Sequence, residues 1–123
     1  MKVVINRCFG GFGISNLAFE KLLERKGIAF NKVPSKYPIR GNEFDYYRVA
    51  DNPDEQDYIS EYDFFDNRSD PDLIAVIEEL GEESWGWAAE IIIVEIPDDV
   101  KWHIHEYDGI EHVAEDHRTW YGD

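Results

Sequence analysis

Three glycines within four positions, Gly10, Gly11 and Gly13, follow the run Val3-Val4-Ile5-Asn6-Arg7-Cys8-Phe9 and precede Ser15, a residue type that caps helices well. A strand feeding a glycine turn and then a helix N-terminus aims backbone N–H groups at one point, where the helix dipole also favours negative charge. With Arg7 beside it, the turn is a candidate site for an anion or a nucleotide. Its letters match neither Gly-x-Gly-x-x-Gly nor the Lys-Ser/Thr of a P-loop, and Phe12 would have to stack on a ligand's base rather than crowd its phosphate. The competing reading is conformational: the glycines permit a tight, positive-φ turn under aromatic neighbours.

An anion site needs cations, and few are placed to help. After Val49 the basic residues are Arg68, Lys101 and Arg118. The functional reading brings Arg7, Arg68, His117 and Arg118 together above the turn, so the ligand-binding candidates are Arg7, Gly10, Gly11, Phe12, Gly13, Arg68, His117 and Arg118. The structural reading pairs Arg68 and Arg118 with carboxylates in an acidic half of the chain. Cys8 sits near a helix N-terminus, where a thiol can be activated, but no local histidine motif accompanies it and a packed, inert thiol is the ordinary alternative. Pairing of Lys101–Tyr107 with Ile110–Glu115 sets His103, His105 and His112 on one strand face, a spacing that resembles a three-histidine metal site. The opposite face carries Trp102, Ile104 and Val113 and is the expected core side, which leaves the histidines in solvent. No metal, cofactor or catalytic constellation is specified.

The elements that must hold these residues are partly legible. Val3, Val4 and Ile5 in a row suggest a strand covered on both faces. Ile14, Leu17, Ala18, Phe19, Leu22 and Leu23 form an apolar stripe at helical spacing, ended by Gly27. From Ile28 to Asn42, Pro34, Pro38 and Gly41 argue for an irregular connection with short extended pieces, followed by a candidate strand at Phe44–Val49. Asp51 to Asp66 holds seven acids among Tyr58, Ile59, Tyr62, Phe64 and Phe65, which reads as a long loop pinned by its aromatics, with a helical turn as an option. Ser69-Asp70-Pro71-Asp72 opens a second helix, with Leu73, Val76, Ile77 and Leu80 as its buried stripe and Gly81 as its end. Ile91-Ile92-Ile93-Val94 suggests another buried strand.

Asp108-Gly109 is a favoured two-residue hairpin turn, pairing Tyr107 with Ile110, His105 with His112 and Ile104 with Val113. A helix over 110–117 is the alternative, since Asp108 and Glu111 fit a capping box. The expected fold is α+β: one compact domain over 1–123, with a mixed or antiparallel sheet of four to five strands, two main helices and a C-terminal β-hairpin.

Composition bounds the function. The 123 residues fit one domain, and 4 Trp, 7 Tyr and 7 Phe supply enough apolar bulk to offset the entropy of ordering. The net charge of −15 is uneven: residues up to Arg48 hold nine basic against four acidic side chains, and those from Val49 onward three against twenty-three. Such a chain is repelled by nucleic acid and anionic membranes, while an acidic surface suits a basic partner. No apolar run approaches the roughly 20 residues that span a bilayer, no signal-peptide pattern opens the chain, and the single cysteine excludes an internal disulfide. A cytoplasmic protein is expected.

Four segments also carry a family likeness. Val4–Ser15, the Arg68-Ser-Asp-Pro-Asp-Leu-Ile helix start, Val94–Pro97 and the ending Glu106-Tyr-Asp-Gly…His-Arg-Thr-Trp resemble a family of small uncharacterised bacteriophage proteins, over nearly the whole chain outside Phe30–Phe65. The resemblance implies a viral gene expressed in the cytoplasm of a host bacterium and brings no activity with it. Two functions remain: a non-enzymatic accessory protein that binds a host partner through its acidic, aromatic surface, an inhibitor of host defence being one form, or a binder of a nucleotide or small anion, sequestering or hydrolytic. The exposed hairpin edge also offers a second copy a pairing site, so a homodimer is a further expectation.

Overall fold

The computed structural model describes residues 1–39, 42–49 and 57–116, and the candidates His117 and Arg118 lie outside them. The order is β1 (Lys2–Asn6), α1 (Asn16–Arg25), β2 (Phe30–Ile39), β3 (Asn42–Arg48), β4 (Asp57–Tyr58), a 3₁₀ turn (Glu61–Phe64), α2 (Pro71–Leu80), a second 3₁₀ turn (Gly81–Ser84), β5 (Ile91–Glu95), β6 (Trp102–Tyr107) and β7 (Ile110–Glu115). The fold is α+β, as the sequence implies. No helix among the described residues is long and apolar enough to cross a membrane.

The helices begin where their caps demand. The Ser15 hydroxyl accepts the Ala18 N–H at 3.2 Å, and the Asp70 carboxylate accepts that of Asp72 at 3.0 Å with Pro71 next in line. Both end on a positive-φ glycine, Gly27 at 70° and Gly81 at 57°. Asp70 also meets Lys26 Nζ at 2.6 Å and so ties the start of α2 to the end of α1; its hydrogen bond raises the Lys26 pKa. Asp70→Ala is expected to cost about 1–2 kcal/mol in urea denaturation, by loss of the cap and of this half-buried pair.

The strands do not form one sheet. They form three small antiparallel ones: β1 with β5, β2 with β3 and β4, and β6 with β7. The first is held to two strands because the outer edge of β1 is already occupied. Val4 N–H donates to Arg68 O at 2.8 Å, Arg68 Nη1 returns to Val4 O at 3.3 Å, and Asn6 N–H donates to Glu111 Oε1 at 2.9 Å. Main chain and an ion pair thus replace the third strand.

Two boundaries differ from the sequence reading. The opening strand stops at Asn6 rather than Phe9, because the Asn6 side chain turns the chain there: Nδ2 donates to Cys8 O and Gly109 O, each at 2.7 Å, and Oδ1 accepts from Glu90 N at 2.9 Å. The stretch expected to be irregular is instead the ten-residue β2, paired with β3 from Phe30↔Arg48 to Pro34↔Phe44 and again at Ile39↔Asn42. It lies at the edge of its sheet, where Pro34 and Pro38 can leave the ladder without a missing donor, and its exposure on both faces removes the apolar alternation that marks a strand.

The hairpin follows the predicted register, with Tyr107↔Ile110, His105↔His112 and Ile104↔Val113, and residues 110–115 are strand rather than helix. Asp108 at φ 50° and Gly109 at φ 88° supply the turn. Between β1, α1, α2 and β3 lies the core, in which Val4, Ile14, Leu22, Leu23, Leu73 and Val76 are fully buried. Each buried aliphatic side chain of this kind contributes about 1.5–3 kcal/mol relative to exposure.

Candidate functional site

The glycine turn is built by close approach of three segments. A Cβ at Gly10 would stand 1.7 Å from the Ala88 carbonyl oxygen, one at Gly86 would stand 2.6 Å from Gly13 C, and one at Gly109 would stand 2.5 Å from Phe9 O. Gly86 N–H then donates to Gly13 O at 3.0 Å, and Gly11 turns the chain at φ 87°. Backbone against backbone fixes the turn, which no side chain could do at this spacing.

Fixed in this way, Gly10–Gly13 forms one side of a cleft of about 370 Å³. The rest of its lining comes from β2, β3, β4, the 3₁₀ turn, the first turn of α1 and the Gly86-Trp87 segment. Asn42 joins these parts, donating to Ile14 O at 3.0 Å and accepting from Trp87 N–H at 3.3 Å. Asn16, at the start of α1, meets both backbone groups of Phe44 on β3, at 3.0 and 3.3 Å.

Aromatic side chains crowd the opening. Tyr37, Tyr58, Tyr62 and Trp87 line the cleft, and each is more than half exposed. Two of them lean on a second ring, Tyr58 edge-on against Tyr47 at 5.6 Å and Tyr62 against Phe65 at 5.8 Å. Deeper in, Tyr46 is buried and its hydroxyl donates to Glu20 Oε2 at 2.8 Å; burial, then this carboxylate, raises its pKa.

Two carboxylates, Asp45 and Glu61, line the cleft, and among the described residues no lysine, arginine, histidine or cysteine does. Burial pushes the Glu61 carboxyl up to about 7, against a smaller opposing effect of the hydrogen bond that it accepts from the Ile14 backbone. Burial first, and then the charges of Asp45 and Glu61, also raise the Tyr58 pKa.

Among the described residues, the two cations named from the sequence, Arg7 and Arg68, are both paired with carboxylates. Arg68 lies behind the turn, its guanidinium 3.7 Å from the Phe12 ring centroid and bidentate to Glu111 at 2.7 and 2.9 Å, with Nε on Phe65 O at 2.9 Å. Arg7 pairs with Glu90 at 3.1 Å. Of the eight ligand candidates, Gly10, Gly11, Phe12 and Gly13 line the cleft, whereas Arg7 and Arg68 do not; Arg68 shares a second concavity with Gly10, Gly11 and Phe12, where Asp66, Glu106 and Glu111 stand beside it. Cys8 is a half-buried free thiol.

On the hairpin, His103 pairs with Asp116, and the His105 and His112 rings lie 4.9 Å apart. Among the described residues no group of three or more His, Cys, Asp or Glu is placed to hold a metal ion.

Compared with protein-family models, curated proteins and solved structures, the chain gives no match. What the cleft can do follows from its lining. Ring faces attract cations and stack on planar or apolar groups, carboxylates accept hydrogen bonds, and the cleft offers no cationic side chain to an anion among the described residues.

The sequence reading did not single out Tyr37, Asp45, Glu61 or Trp87. The signal available was the acidic, aromatic composition of 51–66, which marks a surface without saying which of its residues share a cleft.

Proposed function

We propose that the chain is a small accessory protein of bacteriophage type that acts by binding a protein of the host bacterium in its cytoplasm, without catalysis of its own. Its contact site is the aromatic cleft beside Gly10–Gly13. The observation that carries this reading is the exposure of Tyr37, Tyr58, Tyr62 and Trp87 around one concavity, in a chain with a well-filled core to receive large side chains. Exposed tyrosine and tryptophan gathered at a cleft are the composition of interface hot spots, and the acidic lining suits a basic partner. Inhibition of a host defence component is one form such binding takes.

The nucleotide or anion reading draws on the same turn. It requires Arg7 to leave Glu90 and Arg68 to leave Glu111, and a ligand beside Arg68 to tolerate Asp66, Glu106 and Glu111 or, in the aromatic cleft, Asp45 and Glu61. The distribution of charge therefore favours the protein partner.

Affinity capture from bacterial lysate separates the two readings. Wild-type protein and Glu78→Gln, a change on α2 outside the cleft, are expected to retain the same stoichiometric partner. The double variant Tyr62→Ala/Trp87→Ala is expected to weaken that capture by about 100-fold or more, as loss of two hot-spot aromatics does. Equal capture by the double variant, or a rise in melting temperature with nucleotides alone, overturns the proposal.

A further inference from the structure

We infer that the group this cleft takes from its partner is a basic side chain, a lysine or arginine, laid against Tyr58, Tyr62 and Trp87 with its cationic end at Glu61. The inference rests on the reading of the cleft as a partner site and specifies its chemistry.

Three other rings of the cleft already carry a cation from this chain. Arg68 stacks on Phe12 at 3.7 Å, Lys32 Nζ lies 4.1 Å from the Phe44 centroid, and Lys36 Nζ lies 5.7 Å from that of Tyr37. Among the described residues no cation lies over Tyr58, Tyr62 or Trp87. These are the rings with faces left to give, and Tyr58 and Tyr62 flank Glu61 on the same segment. An exposed ring face offers a cation about 0.5–1 kcal/mol, and more once water is displaced. A carboxylate at the inner end turns that attraction into a charge-assisted hydrogen bond. The volume of about 370 Å³ accommodates a long side chain together with the backbone that bears it.

Glu61 adds a signature. Because its carboxyl is pushed up to about 7 by burial, it is largely neutral at pH 6 and largely ionised at pH 8, and only the ionised form pairs with a cation. The other ionisable groups around it are Tyr37 on β2, Asp45 and Tyr46 on β3, Tyr58 on β4, and Tyr62 and Asp63 on its own turn, while the glycine turn and Gly86-Trp87 contribute none. Affinity for a basic group is therefore expected to rise about tenfold from pH 6 to pH 8, the ratio of the ionised fractions for a pKa near 7.

The probes are four capped tripeptides, acetyl-Ala-X-Ala-amide with X lysine, arginine, norleucine or glutamate, titrated into the whole chain and followed by NMR. Lysine and arginine peptides are expected to bind at least tenfold more tightly than the other two and to shift the indole resonance of Trp87. The lysine peptide is expected to show the tenfold rise with pH, and Glu61→Gln to lose both the preference and the pH dependence.

Folding of that variant is checked by its stability. The folded pKa of Glu61 lies above its value of 4.5 in the unfolded chain, so wild-type stability falls as pH rises from 4.5 to 7, and Glu61→Gln should be at least as stable as wild type at pH 8. Equal binding of norleucine and lysine, no binding of either basic peptide up to about 10 mM, or a lysine preference that survives in Glu61→Gln overturns the inference. Charge-blind peptide binding together with a capture that still needs Tyr62 and Trp87 would leave the partner site standing and remove only its basic specificity.

Discussion

Replacing Arg68 by alanine is expected to lower the free energy of unfolding by about 3–5 kcal/mol. The loss is large because Arg68 is joined to four parts of the fold at once: Glu111 on the hairpin, Phe65 O before α2, Val4 O on β1 and the Phe12 ring of the glycine turn. Its removal leaves the Glu111 carboxylate, only 8 % exposed, without its counter-ion while it still accepts the Asn6 N–H. An unpaired buried charge costs more than the pair contributed.

Two controls sharpen the expectation. Arg68→Lys should recover little, since an ammonium cannot reproduce the planar fork that meets both carboxylate oxygens and stacks on a ring. Arg68→Met with Glu111→Leu should lose less than Arg68→Ala alone, because no charge is then left buried. Urea denaturation measures all three. An Arg68→Ala change below about 1 kcal/mol would mean that the pair behaves as an exposed salt bridge.

Gly10→Ala is expected to cost about 3 kcal/mol or more, the upper part of the range for overpacking. The added methyl would lie 1.7 Å from a main-chain oxygen, that of Ala88, and 2.4 Å from the Ala88 Cβ, so no rotamer change relieves it. Either the turn lifts or the segment through Ala88, itself at φ 59°, retreats. Both movements widen the cleft between Gly13 and Trp87, and partner capture should weaken together with stability.

Gly11→Ala is the informative comparison. No atom lies within 4 Å of a Cβ there, and the strain comes only from φ 87°, so the cost should stay near 1 kcal/mol. Equal costs at the two positions would mean that backbone strain, rather than the contact with Ala88, sets the need for glycine.

What could be read in the sequence was local. Ser15, Asp70 and Pro71 announce helix starts because a cap is a contact within three residues, and Asp108-Gly109 fixes the register of β6 with β7 because a two-residue turn leaves one pairing. β2 was not legible, since an edge strand exposed on both faces has no alternation to display. Nor was the division into three sheets, which depends on Arg68 meeting Glu111, 43 residues later.

The cleft falls between these cases. Its glycine turn was recognised as a place where backbone comes close to something, and the acidic, aromatic segment as a surface. Their union required Trp87, Asn42 and Glu61 to arrive from distant parts of the chain, and it sets the carboxylates of Asp45 and Glu61 in the same lining as the glycine turn.

The side chain of Asn6 and the edge of β1 also set the order of events during synthesis. β1 leaves the ribosome well before its partners, since Val4 pairs with Ile93 and Asn6 binds Glu111, 105 residues later. Until those partners emerge, Val3, Val4 and Ile5 form an apolar segment with both edges open, the state in which strands associate with the wrong neighbours. Closing so long a loop before any reward is slow, and refolding of the isolated chain should be correspondingly unhurried. Helix α1 and the β2–β3 pair can form early from neighbouring sequence, whereas β1 waits for β5 and for Glu111 on β7.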